Sequence, residues 1–136
     1  MTFQVSNISL KAPDWVSPVD YHFRIVVSIS FNRAVDKSSL HAPGTVRIDL
    51  KGKNGLGSFN IGGTFQISKD SKEAVFISEK PGKELIDPGA GENVKYTISL
   101  LGIGKNVVKD SSGETLDGDG NGQPGGNFIK VLEQVG

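Results

Sequence analysis

Apolar and polar residues alternate along most of the chain, and helical periodicity is scarce. The clearest example runs from Tyr21 to Phe31. Its odd positions from Phe23 onward are all apolar, and its even positions are polar except for Val26. This pattern predicts a strand with one buried face and one face in contact with water.

Similar short segments recur along the chain, separated by turn signals. They are centred on residues 3–10, 46–50, 59–61, 65–67, 74–77, 94–100 and 129–135. A break in the alternation near Asn7 indicates a β-bulge, and the dipeptide Asn54-Gly55 is typical of a hairpin turn. Asp36, which precedes Lys37, Ser38 and Ser39, predicts the cap of one short helical turn.

Seven or eight short antiparallel strands, with little room for a long helix, predict an all-β sandwich or barrel with Greek-key connections. The 136 residues amount to one domain. A chain of this size can bury roughly two-thirds of its unfolded surface. We therefore expect a single domain over residues 1–136. No targeting peptide is visible at the amino terminus, and a module excised from a longer exported chain would have the same appearance.

Composition excludes several classes of function. Lys and Arg number 15, as do Asp and Glu, so the formal net charge is zero. This balance argues against nucleic-acid binding and against a polybasic membrane anchor. No apolar run approaches the roughly 18 residues of a membrane span. Cysteine is absent, which excludes disulfides and thiolate sites, and a zinc site would need carboxylates beside His22 and His41.

Residues 29–36 (ISFNRAVD) form a strand that ends in Phe, followed by Val-Asp and the predicted helical turn. This segment resembles bacterial Ig-like domains of the S-layer-protein type. Residues 72–77 and 96–100 resemble the middle and penultimate strands of that family. Residues 110–116 (DSSGETL) resemble its closing Asp-x-x-Gly-Asn-x-Leu turn, with Glu114 where Asn is usual.

The resemblance extends from about Tyr21 to Val135. It implies an Ig-like β-sandwich in a bacterial secreted or cell-surface multidomain protein. It implies no catalytic residues, because the family is a structural scaffold without a shared active site.

The loop before the last strand combines glycine with acidic residues. Six of the 18 glycines lie between residues 113 and 126. Asp117, Asp119 and Asn121 alternate with glycine and match the first, third and fifth positions of an EF-hand loop. Gln123 adds a backbone carbonyl, but Phe128 stands where the closing Glu of an EF-hand belongs. The loop is therefore not an EF-hand.

Two interpretations of this loop remain open. One is a calcium site with its own geometry, completed by Asp110, Glu114 or Asn127, which would stiffen the exit toward a following domain. The other is a Gly/Asp turn without an ion.

Trp15 is the only tryptophan, and it lies in a loop bracketed by Pro13 and Pro18. It is either an aromatic platform for a sugar ring or a rim residue that covers one end of the sandwich. Ser38 and Ser39 lack a Gly-x-Ser-x-Gly context, and no nucleophile, base and metal set converges in the sequence. We therefore expect a protein that is not an enzyme.

The function expected from the sequence is a non-catalytic spacer, structural or adhesion module outside the cell or on its surface. Its partners would be neighbouring domains of the same chain, or a protein or glycan at the cell surface, with no nucleic acid and no membrane insertion. The alternative is a carbohydrate-binding accessory module of a polysaccharide-acting protein, which requires an exposed aromatic such as Trp15 beside a polar groove. A small enzyme is the least favoured hypothesis.

Overall fold

The computed structural model describes residues 2–21, 24–42, 44–51, 58–81 and 94–134. Within these ranges it contains eight strands, one short α-helix and one 3-10 turn. The strands are β1 (Val5–Ser9), β2 (Arg24–Phe31), β3 (Val46–Lys51), β4 (Ser58–Asn60), β5 (Gly63–Ile67), β6 (Glu73–Pro81), β7 (Val94–Leu100) and β8 (Phe128–Gln134). The helix α1 covers Pro18–Tyr21, and the 3-10 turn covers Lys37–Ser39.

The strands form two antiparallel sheets with the orders β1-β2-β6-β5 and β4-β3-β7-β8. The chain passes from one sheet to the other after β2, after β4 and after β6. Ile29 and Phe76 of the first sheet share one fully buried core with Ile48 and Ile98 of the second. The predicted all-β sandwich of seven to eight antiparallel strands is therefore confirmed. No helix in the described ranges is long and apolar enough to cross a membrane.

Two local predictions are also confirmed. The pairing of β1 with β2 shifts register between Val5 and Asn7, where the alternation predicts a bulge. The Asp36 carboxylate accepts a hydrogen bond from the Ser38 backbone N–H at 3.0 Å and caps the 3-10 turn. The predicted Asn54-Gly55 turn lies outside the described residues, although β3 and β4 pair as a hairpin requires.

The prediction that β2 has a water-facing side is wrong for the middle of the strand. Val26 and Ser28 are only 9% and 8% exposed. Val26 packs with Val75 and Ile77 of β6 and with Val16, which is buried in the segment that precedes β2. Because β2 and β6 together present an apolar outer surface, this segment folds over it and removes it from water.

Candidate functional site

The segment before β1 is anchored by one aromatic side chain and two backbone hydrogen bonds. Phe3 is fully buried, and its ring stacks on Phe31 with a centroid distance of 5.2 Å. The Phe3 N–H donates to Glu114 Oε2 at 2.9 Å, and the Phe3 carbonyl accepts from the Asp117 N–H at 2.8 Å. These two hydrogen bonds join the segment to residues that lie more than 100 positions later in the sequence.

Asn32 also binds this segment. Its Oδ1 accepts from the Gln4 N–H at 2.8 Å, and its Nδ2 donates to the Thr2 carbonyl at 2.8 Å. The Asn32 N–H also donates to the Gln4 carbonyl at 3.0 Å. We refer to the contacts of residues 2–4 with Asn32, Glu114 and Asp117 as the amino-terminal latch.

Asp117 is the centre of the latch, and it is 2% exposed. Its Oδ2 accepts from Thr2 Oγ1 at 2.6 Å, from Gln4 Nε2 at 3.2 Å and from the Gly122 N–H at 3.0 Å. Its Oδ1 accepts from the Asn121 N–H at 3.1 Å. The Thr2 hydroxyl makes the largest contribution to lowering the pKa of Asp117, to about 2, and the two loop amides add to it.

A second carboxylate organises the turn just before this loop. Asp110 Oδ1 accepts from the Ser112 N–H at 2.9 Å, the Ser112 hydroxyl at 2.7 Å and the Glu114 N–H at 2.8 Å. Arg33 lies 3.4 Å from Asp110 Oδ2 and 2.8 Å from Glu114 Oε2. Burial by itself would raise the pKa of Asp110, but the hydrogen bonds from Ser112, Glu114 and Arg33 outweigh it and lower the pKa. Asp110 therefore stabilises the turn at residues 110–114, whereas Asp117 stabilises the loop that follows it.

The predicted calcium ligands do not all converge. The Asn121 N–H lies 3.1 Å from Asp117 Oδ1 and 3.3 Å from Asp119 Oδ1, so these three residues are neighbours. Gln123 is exposed and donates its N–H to Asn121 Oδ1 at 2.8 Å, while Asp110 faces Arg33. In the part of the chain that the structure describes, no three His, Asp or Glu residues are grouped to hold a metal ion.

Calcium binding at this loop stays a prediction. Titration calorimetry with calcium, combined with thermal melting at millimolar calcium, tests it on the purified domain. Binding would release or absorb heat and raise the melting temperature, because a ligand that binds only the folded state stabilises it. If the titration shows no heat and the melting temperature is unchanged, the loop is a Gly/Asp turn that binds no calcium.

We predict that Asp117 makes the domain sensitive to acid between about pH 4 and pH 2. Its pKa falls from 3.8 to about 2 on folding, so the carboxylate stabilises the folded state above pH 3.8. This contribution is lost as the pH falls through about 2. Urea unfolding at several pH values should therefore show a shallower acid dependence for Asp117→Asn than for the wild type. Asp14→Asn, at an exposed position outside the latch, is the matched control and should keep the wild-type slope. An unchanged slope in Asp117→Asn would contradict the prediction.

Trp15 lies beside an open groove at the end of the first sheet. Its side chain is 42% exposed, and its Nε1 donates to Glu73 Oε1 at 2.7 Å. The other carboxylate oxygen of Glu73 accepts from the Ser30 hydroxyl at 3.3 Å. The groove has a volume of about 610 Å³, and Lys69 and Lys72 contribute to its lining.

The turn between β5 and β6 forms one wall of this groove, with Asp70 and Glu73 beside Lys69 and Lys72. Asp70 Oδ1 accepts from the Lys72 N–H at 3.0 Å and from the Ser68 hydroxyl at 2.7 Å, and these bonds lower the pKa of Asp70. Ser71 adopts a left-handed backbone with φ 60°, and its carbonyl accepts from the Val35 N–H at 2.7 Å. The wall is therefore held in one conformation by its own hydrogen bonds and by the chain after β2.

Sequence patterns identify Trp15 and the Asp117 loop but miss the residues that join them to the rest of the fold. Thr2 and Gln4 belong to no motif, and Asn32 lies within residues 29–36 without a predicted role of its own. Only their distant partners reveal what these residues do. Glu114 is visible in the sequence as a departure from the usual Asn. The structure explains the departure, since the longer carboxylate reaches both Arg33 and the Phe3 N–H.

Comparison with known proteins shows a distant likeness in fold. No protein-family model and no curated protein matches the chain. A solved structure of surface layer protein SbsC, domains 1–6, matches with a TM-score of 0.53 and 16% sequence identity. The match covers 100% of this chain and 14% of the SbsC chain. The β-sandwich is thus a distant, S-layer-like fold.

Proposed function

We propose that this chain is an Ig-like, non-catalytic structural module of a bacterial multidomain protein that is secreted or displayed on the cell surface. The amino-terminal latch carries this proposal. Its polar contacts close the fold. The carboxylates with lowered pKa values, Asp70, Asp110 and Asp117, accept hydrogen bonds in turns and loops. These groups are therefore engaged in structure, whereas a catalytic group must be available to a substrate.

The strand order supports the Ig-like assignment. Immunoglobulin constant-type domains have strands A, B, E and D in one sheet and C, F and G in the other. Assigning these letters in chain order, with β4 as an extra strand beside β3, reproduces both sheets. The three passages between the sheets are those expected for Greek-key connections in such a sandwich.

The latch also suggests how such a module would transmit force. β1 and β8 are edge strands of different sheets, so no direct ladder joins them. Residues 2–4 precede β1, and Asp117 begins the loop that leads to β8. The latch connects these two regions through the Asp117 carboxylate and the Phe3 backbone. A load applied to the first and last strands would therefore be resisted in part by these hydrogen bonds.

The match to SbsC supports a place in a longer chain. The structural likeness covers 14% of a chain described as containing domains 1–6. Neighbouring domains of the same polypeptide are accordingly the proposed partners of this module. The latch would fix the orientation of the chain as it enters and leaves the module.

Labelling of intact cells tests the proposed location. An antibody raised against this domain should label intact cells that produce the native protein, or detect the protein in their medium. A cytoplasmic protein of the same cells is the control and should be labelled only after permeabilisation. Detection of the domain only after permeabilisation would contradict the proposal.

A further inference from the structure

We propose that Lys130 keeps the open edge of β8 unpaired, and that it thereby prevents the module from joining a second copy of itself through its last strand. This role, which keeps the module monomeric, goes beyond the mechanical role of the latch. It does not depend on that role, because Lys130 is not one of the latch residues.

β8 is the longest and most regular open edge among the strands that the structure describes. The strands β1, β4, β5 and β8 each border a sheet. β1 and β5 have five residues and β4 has three, whereas β8 has seven. All seven residues of β8 pair with β7 without a register shift, and the strand contains no Pro or Gly. A long, regular edge of this kind is a template on which another strand can pair.

The outer face of β8 favours such pairing. Ile129 is 63% exposed and Val131 is 55% exposed. Both are β-branched, and side chains of this type pack well against their neighbours across a pair of strands. An antiparallel second copy of β8 centred on Val131 would place the two Val131 side chains beside each other. The partner that this edge fits is therefore the same strand of another copy of this chain.

The inner face of β8 carries a lysine at a position that faces the core. Phe128 and Leu132 pack against the core, and Lys130 lies between them on the same face, since successive residues of a strand alternate. Lys130 pairs with Ile98 of β7, which is fully buried. Lys130 is nevertheless exposed. A lysine at such a position keeps its ammonium group in water by extending past the open side of the edge strand.

A second copy of β8 would close this route to water. In the pairing centred on Val131, Lys130 of each chain lies opposite Leu132 of the other chain, and the added strand covers the open side. Leu132 offers the ammonium group no counter-charge, and the burial of an unpaired charge is strongly unfavourable. The charge at position 130 therefore opposes the pairing that Ile129 and Val131 favour.

Sedimentation velocity over a range of protein concentrations tests the proposal, and the wild type should sediment as a monomer. Lys130→Met keeps the length of the side chain but removes its charge. It should lower the dissociation constant of the dimer roughly tenfold or more. Hydrogen exchange should then show new protection at the β8 amides that do not bond to β7. Lys130→Glu restores a charge at the same position and should sediment as the wild type does.

The matched control is Lys95→Met, which makes the same change at an exposed position of β7, a strand with neighbours on both sides. It should stay monomeric. Four results would overturn the proposal: a Lys130→Met variant as monomeric as the wild type, dimers of the wild type or of Lys130→Glu through β8, equal association of Lys95→Met, or a Lys130→Met dimer without new protection in β8.

Circular dichroism and thermal melting establish that each variant is folded. Lys130→Met should melt no lower than the wild type, because methionine suits a position that faces the core. If Lys130→Met does not fold, Lys130→Gln removes the charge and keeps a polar side chain. It should still dimerise more tightly than the wild type, and equal behaviour of the two proteins would contradict the role of the charge.

Discussion

Replacing Phe3 with Ala is expected to lower the free energy of unfolding by about 3–5 kcal/mol. Phe3 is fully buried and stacks on Phe31, so truncation removes apolar contacts and leaves a cavity in the core. The loss is large because single domains are stable by only about 5–15 kcal/mol in total. Urea denaturation followed by tryptophan fluorescence would measure it.

Val19→Ala is the matched control for this experiment. Val19 is 83% exposed, so its truncation should change stability by less than about 0.5 kcal/mol. A Phe3→Ala variant as stable as Val19→Ala would contradict the placement of the amino-terminal segment in the core.

Gly118→Ala is expected to cost about 3 kcal/mol or more, because the new methyl group has no space. A Cβ at this position would lie 2.3 Å from the Asn127 carbonyl carbon, 2.3 Å from the Phe128 nitrogen and 2.4 Å from the Gly126 carbonyl oxygen. These backbone atoms belong to the two residues before β8 and to its first residue, and they can yield only if this segment shifts. Thermal melting should show a large fall in melting temperature or a failure to fold.

Gly120→Ala provides the comparison within the same loop. Gly120 has φ +68°, and a Cβ there would meet nothing within 4 Å. Its replacement should cost only the left-handed backbone strain, about 1–2 kcal/mol. A Gly118→Ala variant as stable as Gly120→Ala would contradict the close approach of the loop to the beginning of β8.

The strands could be predicted from the sequence because alternation is a local property. Successive residues of a strand point to opposite faces of the sheet, so the apolar positions show which face is buried. Turn residues mark the strand ends. The outer face of β2 could not be predicted in this way. Ser28 looks like a water-facing residue in its own strand, yet it is buried. Val26, two residues earlier, packs with Val16 of the preceding segment and with Val75 and Ile77 of another strand.

The candidate sites show the same division between local and distant information. The spacing of Asp117, Asp119 and Asn121 marks an unusual loop, and the loop is indeed held by its own amides. However, Asp117 also accepts from Thr2, which lies 115 residues earlier in the sequence. No local pattern connects two residues so far apart, so the latch becomes visible only once the sheets are assembled.

Single-molecule force spectroscopy of the domain, held by its two ends, tests the latch most directly. The structure predicts that Asp117→Asn unfolds at a clearly lower force than the wild type, because an amide cannot accept from all four donors. Asp14→Asn, at an exposed position outside the latch, should unfold at the wild-type force, with the same gain in contour length in all three proteins. An Asp117→Asn variant that unfolds at the wild-type force would contradict the mechanical role of the latch.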